Sequence, residues 1–193
     1  MKSALAKLPA VLILFRLALA PVVILLAAYR LSSAIAVCIA IEVFTDIFDG
    51  IIARRLNTET ERLRRADSFV DTVFFVSVAI AAWMLFPDLF PRYLGLLLVL
   101  IALELVRYVY DWLKFRRAAS YHMYSAKAWG LVLCASMVAL FGFGYAGWLV
   151  PLAIVVGILS DLEGLLISFL LTTQKTDVHT FFAAMEIRRS DAM

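Results

Sequence analysis

Four aspartates carry the densest chemistry in this chain. Asp46 and Asp49 stand in the run D-I-F-D-G-I-I-A-R (46–54), and Asp67 and Asp71 in D-S-F-V-D (67–71). Each pair lies at the edge of a long apolar run, where a carboxylate at mid-bilayer depth costs roughly 2.5 to 3.5 kcal/mol to insert. Residues that costly need a task. On a helix, offsets of three and four residues return to the same side. Asp46, Asp49, Gly50 and Ala53 therefore share one face, and Asp67 and Asp71 share a face of the next helix. The first face sets two carboxylates beside two of the smallest side chains, which leaves room for a ligand to approach the backbone. Clustered hard oxygen ligands suit Mg²⁺ or Mn²⁺, which bind through a few carboxylates and complete their shells with substrate phosphates and water. The chemistry this implies is phosphoryl or phosphatidyl transfer at a membrane.

The pattern D-x-x-D-G-x-x-A-R followed by D-x-x-x-D resembles the signature of the CDP-alcohol phosphatidyltransferase family, class I, in its phosphatidylglycerophosphate synthase-like form. Asp46, Asp49, Gly50, Ala53, Arg54, Asp67 and Asp71 match it, while Leu63 stands where the family carries a second glycine. The frame Leu8, Pro9, Arg16, Pro21 is similar to the family's first helix, with Ala10 and Ile13 in place of the usual Asn and Thr. The resemblance implies a transferase that moves a phosphatidyl or similar substituted phosphate group from a CDP-linked donor such as CDP-diacylglycerol to an alcohol, releasing CMP, in phospholipid biosynthesis. It implies that Asp46, Asp49, Asp67 and Asp71 hold Mg²⁺ (or Mn²⁺), that Gly50, Ala53 and Arg54 meet the CDP donor, and that Asp71 is the catalytic general base. A lysine near the fifth helix lies by the family's acceptor pocket, so Lys127, with Arg107 and His122, is the expected acceptor-binding set. A homodimer is implied as well.

Composition bounds the class. The 193 residues are 64% hydrophobic with a mean hydropathy of +0.94, far above the roughly 45 to 50% apolar content of soluble domains. This is the composition of a multi-pass membrane protein. The net charge of +3 is small; its basic residues gather between apolar runs, where they favour anionic lipid surfaces, and nucleic acid is not needed to explain them. Cys38 and Cys134 both fall inside apolar runs, as small core residues do.

Apolar runs at about 8–28, 33–54, 66–86, 92–113, 125–143 and 148–172 each approach or exceed the roughly 20 residues that cross a hydrocarbon core. The expected fold is an all-α membrane protein of six transmembrane helices in one domain, 1–193, with 173–193 as a cytoplasmic tail. Arg16 interrupts the first run and Pro21 follows its small-residue tract Ala18-Leu19-Ala20, so the run reads as a retained helix rather than a cleaved signal. Residues 54–65 carry five arginines and residues 114–127 four Lys or Arg, whereas the alternate loops offer only Arg30 and Arg92. The positive-inside rule puts both termini and the aspartate-bearing helix ends in the cytoplasm. The expected location is the bacterial inner (cell) membrane, with the active site on its cytoplasmic side. Thr58-Glu59-Thr60-Glu61 is expected to begin a short surface helix carrying Arg62, Arg64 and Arg65.

Five further charges lie in apolar surroundings. Glu42, four residues before Asp46, either extends the carboxylate stripe or pairs with a basic neighbour, and pairing is favoured. Glu104 and Arg107 are spaced to satisfy each other along one helix. Asp161 and Glu163 share the depth of Arg16, and one of them is its expected partner. The competing function class is a carboxylate-lined ion or proton-coupled transporter, which requires acids spread through bilayer depth; Glu42, Asp161 and Glu163 fit that loosely, the four clustered aspartates do not. A purely structural membrane protein leaves Gly50 and Ala53 on the acid face without a reason.

Overall fold

The computed structural model describes residues 8–56, 61–116, 121, 123–173, 175 and 177–191, without the side chains of 8–10, 47, 49–56, 61–65, 68 and 191. The described residues form seven helices and no strand: α1 (Leu8–Ala28), α2 (Ser32–Leu56), α3 (Glu61–Leu85), α4 (Leu89–Phe115), α5 (Tyr124–Phe143), α6 (Leu149–Leu170) and α7 (Phe181–Asp191). Among them α1 from Val11, α4, α5 and α6 are long and apolar enough to cross a membrane, and α3 contributes a shorter apolar stretch, Phe69–Leu85. Contacts divide the chain into two compact units, Met1–Pro91 with Met137–Tyr145, and Arg92–Ser136 with Ala146–Met193.

In the first unit, α1 packs against both α2 and α3. A turn of three residues joins α1 to α2. Arg30 takes a left-handed conformation (φ 57°), its N–H bonds the Ala27 carbonyl at 3.0 Å, and the Leu31 N–H bonds that of Leu26 at 2.9 Å. This pair of bonds satisfies the last carbonyls of α1 and reverses the chain. Pro21 sits inside α1 and removes the N–H that would bond the Leu17 carbonyl, a defect that membrane helices tolerate where neighbours pack against it.

Three apolar stripes make the core of this unit. They are Ala20, Val23 and Ala27 on α1, Ile35 and Ile39 on α2, and Val70, Phe74, Val78 and Ala81 on α3, all buried. Their spacings of three and four residues keep each set on one side of its helix. Continued toward the opposite end from the α1–α2 turn, the same stripes run into charge: Arg16 on α1, Glu42 and Asp46 on α2, Asp67 and Asp71 on α3. At the turn end, Ser32 Oγ donates to the Phe141 carbonyl at 2.7 Å, and the Phe86 and Phe141 rings meet edge to face, 5.7 Å apart.

α3 begins at Glu61 and runs unbroken to Leu85. The expected separate surface helix is therefore not formed over the described residues; Arg62, Arg64 and Arg65 belong to the first turns of α3, while 57–60 lie outside the description.

In the second unit, α6 buries Val150, Ala153, Ile154, Gly157, Ser160, Asp161, Gly164, Ile167 and Ser168, again at offsets of three and four. Glycine gives α6 close approach at 157: a Cβ there would meet Trp129 Nε1 at 2.7 Å and Leu100 Cδ1 at 2.9 Å, so those side chains would have to shift. After α6 the chain folds back. Ile167 and Leu171 pack with Tyr121, Met123, Val178 and Ala184 in one buried cluster, so α7 is anchored on α6. Its N-terminus is capped twice, the Ala183 N–H bonding Thr180 Oγ1 at 3.2 Å and the Phe181 N–H bonding Glu163 Oε1 at 3.1 Å. Such bonds satisfy donors that a helix start leaves open, and the carboxylate also meets the positive end of the helix dipole.

Candidate functional site

An antiparallel hairpin matches residues by their distance from its turn. Arg16 lies twelve residues before the end of α1 at Ala28, and Glu42 and Asp46 lie ten and fourteen residues after the start of α2 at Ser32. At about 1.5 Å of rise per residue, Arg16 is level with the interval between the two acids. α3, packed against α1, brings Asp67 and Asp71 to the same point. The five side chains meet there.

The Arg16 side chain is fully buried, whereas those of Asp46, Asp67 and Asp71 are 46%, 33% and 33% exposed. The guanidinium is thus the floor of the cluster and the aspartates are its rim. Arg16 Nη1 lies 3.2 Å from Asp46 Oδ1 and 2.6 Å from Asp67 Oδ1. Nη2 donates to Asp71 Oδ1 and, at 2.9 Å, to Glu42 Oε1, which also accepts from Nε at 3.3 Å. Thr45 Oγ1 bonds back to the carbonyls of Ile41 and Glu42 at 2.9 and 2.8 Å, so the hydroxyl between the two acids of α2 is satisfied within its own helix.

Oxygens of Asp46, Asp67 and Asp71, one from each, all lie within 4.8 Å of one another. Opposite ligands of one Mg²⁺ stand roughly 4.2 Å apart, so a small inward movement of the rim suffices for shared coordination. The donor set is oxygen only, which favours Mg²⁺ or Mn²⁺ over metals that prefer imidazole or thiolate. Charge points the same way, because four carboxyl groups gather around a single guanidinium in a partly apolar setting. These residues fit a divalent cation.

The sequence expected Arg16 to pair with Asp161 or Glu163, and that expectation is corrected here. Its partners are Glu42, Asp46, Asp67 and Asp71. Glu163 caps α7, and Asp161, 1% exposed, pairs with Arg107, Nη1 to Oδ1 at 3.0 Å. Arg107 therefore bridges to α6 in place of the expected partner Glu104 on its own helix. Glu42 takes the pairing role expected of it. The missed signal is the brevity of the α1–α2 connection: consecutive helices joined by three residues are neighbours, which directs Arg16 to α2.

Asp49, Gly50, Ala53, Arg54 and Leu63 have helical backbone, but their side chains lie outside the described residues, as does the whole of His122. Lys127 is exposed, with Nζ 5.6 Å from the Tyr124 ring centroid. Nearby in the chain, Tyr121 lies outside the spanning helices; its hydroxyl shares a 2.9 Å hydrogen bond with Ser168 Oγ, and burial pushes its phenol above the ordinary value. Lys114 Nζ donates to the carbonyls of Ser168 and Phe169 at 2.8 and 3.2 Å, closing the C-terminal end of α6 with a cation where the dipole favours one.

A family model described as CDP-alcohol phosphatidyltransferase matches residues 6–183. No curated protein and no solved structure matches the chain.

Proposed function

This chain belongs to the CDP-alcohol phosphatidyltransferase family, and on that premise we propose that it transfers a phosphatidyl group from a CDP-linked lipid such as CDP-diacylglycerol to an alcohol in phospholipid biosynthesis. The observation that carries the reading is the convergence of Asp46, Asp67 and Asp71 oxygens within 4.8 Å at the common end of three packed helices. Asp46, Asp67 and Asp71, with Asp49, would hold Mg²⁺ or Mn²⁺. When bound, such a cation neutralises the donor diphosphate and the charge that develops on the leaving CMP.

The protein's own groups do the rest. Gly50 and Ala53 are small enough to admit the nucleotide to the face of α2, and Arg54 meets the diphosphate. Asp71 accepts the proton of the acceptor hydroxyl, a contribution typically worth about 10² to 10⁴-fold. The acceptor oxygen then bonds to the phosphatidyl phosphorus as the bond from that phosphorus to the CMP oxygen breaks. Arg107, Lys127 and His122 receive a phosphate on the acceptor; Arg107 also forms an ion pair with Asp161.

We take the apolar runs as six spans in one domain over 1–193, in the bacterial inner membrane, with the family's homodimer as the working assembly; the distribution of Lys and Arg supports cytoplasmic termini and a cytoplasmic-side site. The transporter alternative is weakened, because Glu42, Asp161 and Glu163, the acids that would form its relay, each have a structural partner. Purified protein given CDP-diacylglycerol labelled in the lipid, with candidate alcohols, should form a new phospholipid with Mg²⁺ and none with chelator. Transfer to no alcohol tested, with CDP-diacylglycerol left intact, would contradict the reading.

A further inference from the structure

Arg16 is the largest fully buried side chain in the described chain, and neither cation binding nor nucleotide contact accounts for it. Each terminal nitrogen of its guanidinium joins α2 to α3. Nη1 meets Asp46 of α2 and Asp67 of α3; Nη2 meets Glu42 of α2 and Asp71 of α3. Glu42 is itself buried, 2% exposed, and by accepting from both Nε and Nη2 it fixes the rotation of the planar fork. Lysine offers a single ammonium and no such fork. Without a central cation, three carboxylate oxygens this close repel one another, and the repulsion grows as the local dielectric falls.

We propose that Arg16 is the positioning residue of this site: a fixed counter-charge, oriented by Glu42, that holds Asp67 and Asp71 of α3 in register with Asp46 of α2. The role rests on the phosphatidyl-transfer reading for its purpose, but its measurement does not. If Arg16 neutralises Asp71, the effect of removing the Asp71 charge must depend on Arg16. In the wild-type background Asp71→Asn discards a partner of the buried guanidinium, a loss that offsets the repulsion relieved among the remaining acids. In an Arg16→Met background nothing offsets that relief, and the same substitution raises the melting temperature by more.

The test is thermal unfolding of the full-length protein in detergent with chelator, for wild type, Arg16→Met, Asp71→Asn and the double variant. The Asp71→Asn shift should be more positive in the Arg16→Met background than in the wild-type background by roughly 5 °C or more. In an Arg16→Lys background, where charge is restored, the shift should return toward the wild-type value. Equal shifts in the wild-type and Arg16→Met backgrounds overturn the proposal, because a side chain that only fills space would give that result. Where Arg16→Met alone cannot be recovered folded, recovery of the double variant supports the proposal and loss of both overturns it. Inactivity of the wild type on CDP-diacylglycerol would remove the transfer reading and leave the coupling between Arg16 and Asp71 standing, so the two failures are distinguishable.

Discussion

Arg107 of α4 and Asp161 of α6 form an ion pair at 3.0 Å in which the acid is 1% exposed and the base 28%. The asymmetry sets what each substitution does. Arg107→Met strands a buried carboxylate and should destabilise the protein by about 3 kcal/mol, the low end for a broken buried pair because the arginine is partly solvated. Asp161→Asn leaves a base that can turn to solvent and should cost less, about 1 kcal/mol. Thermal unfolding of the two variants checks the order. The same Arg107→Met variant, and Lys127→Met, should raise the KM for a phosphorylated acceptor more than that for the CDP donor. Equal effects on both substrates would leave Arg107 with its structural pairing alone.

A second prediction concerns Leu63, which stands where the signature carries glycine and whose backbone is in the first turns of α3. Leu63→Gly should cost roughly 1 kcal/mol of stability, since glycine is disfavoured inside a helix, and should change the donor KM by no more than about a few fold. Steady-state kinetics against CDP-diacylglycerol decides this. A rise from undetectable to robust turnover would show that the leucine obstructs the nucleotide site of the natural protein.

How far the chain can be read without coordinates depends on the kind of information each residue carries. The aspartate faces were legible because a carboxylate in an apolar run has few roles and helical offsets assign its face. Six of the seven described helices were legible from apolar length, although α3 extends back to Glu61 because its polar first turns carry no hydropathy signal, and α7 falls within what reads as a polar tail. Arg16 was singled out but given the wrong partners. Depth along a helix comes from counting residues, whereas the neighbour it faces depends on how helices pack, and only the short α1–α2 turn hinted at that. Glu163 illustrates the same limit. Its role as a cap exists only because the chain after Leu170 folds back to start α7 beside it, a return that no local pattern announces.

Membrane orientation gives a third prediction. Lys and Arg crowd 54–65 and 114–127 while Arg30 and Arg92 stand alone at the opposite helix ends, so both termini should be cytoplasmic. A reporter active only outside the cytoplasm, fused after Met193, should be silent, and the same reporter inserted at Gly144, a loop position with φ +65°, should be active. A strong signal from the C-terminal fusion would reverse the topology and put the aspartates on the wrong side for a nucleotide-activated donor.

The central claim is that Asp71 performs the proton transfer at a site built by Asp46, Asp67 and Asp71. The most direct measurement is CMP release from CDP-diacylglycerol by Asp71→Asn, assayed with Mg²⁺ and acceptor well below its melting temperature. We predict a loss of about 10²-fold or more, as expected for removal of a general base, with the variant still folded and donor KM within a few fold of wild type. A variant retaining more than about a tenth of the wild-type rate, against that expected loss, would contradict the assignment of Asp71 as the base.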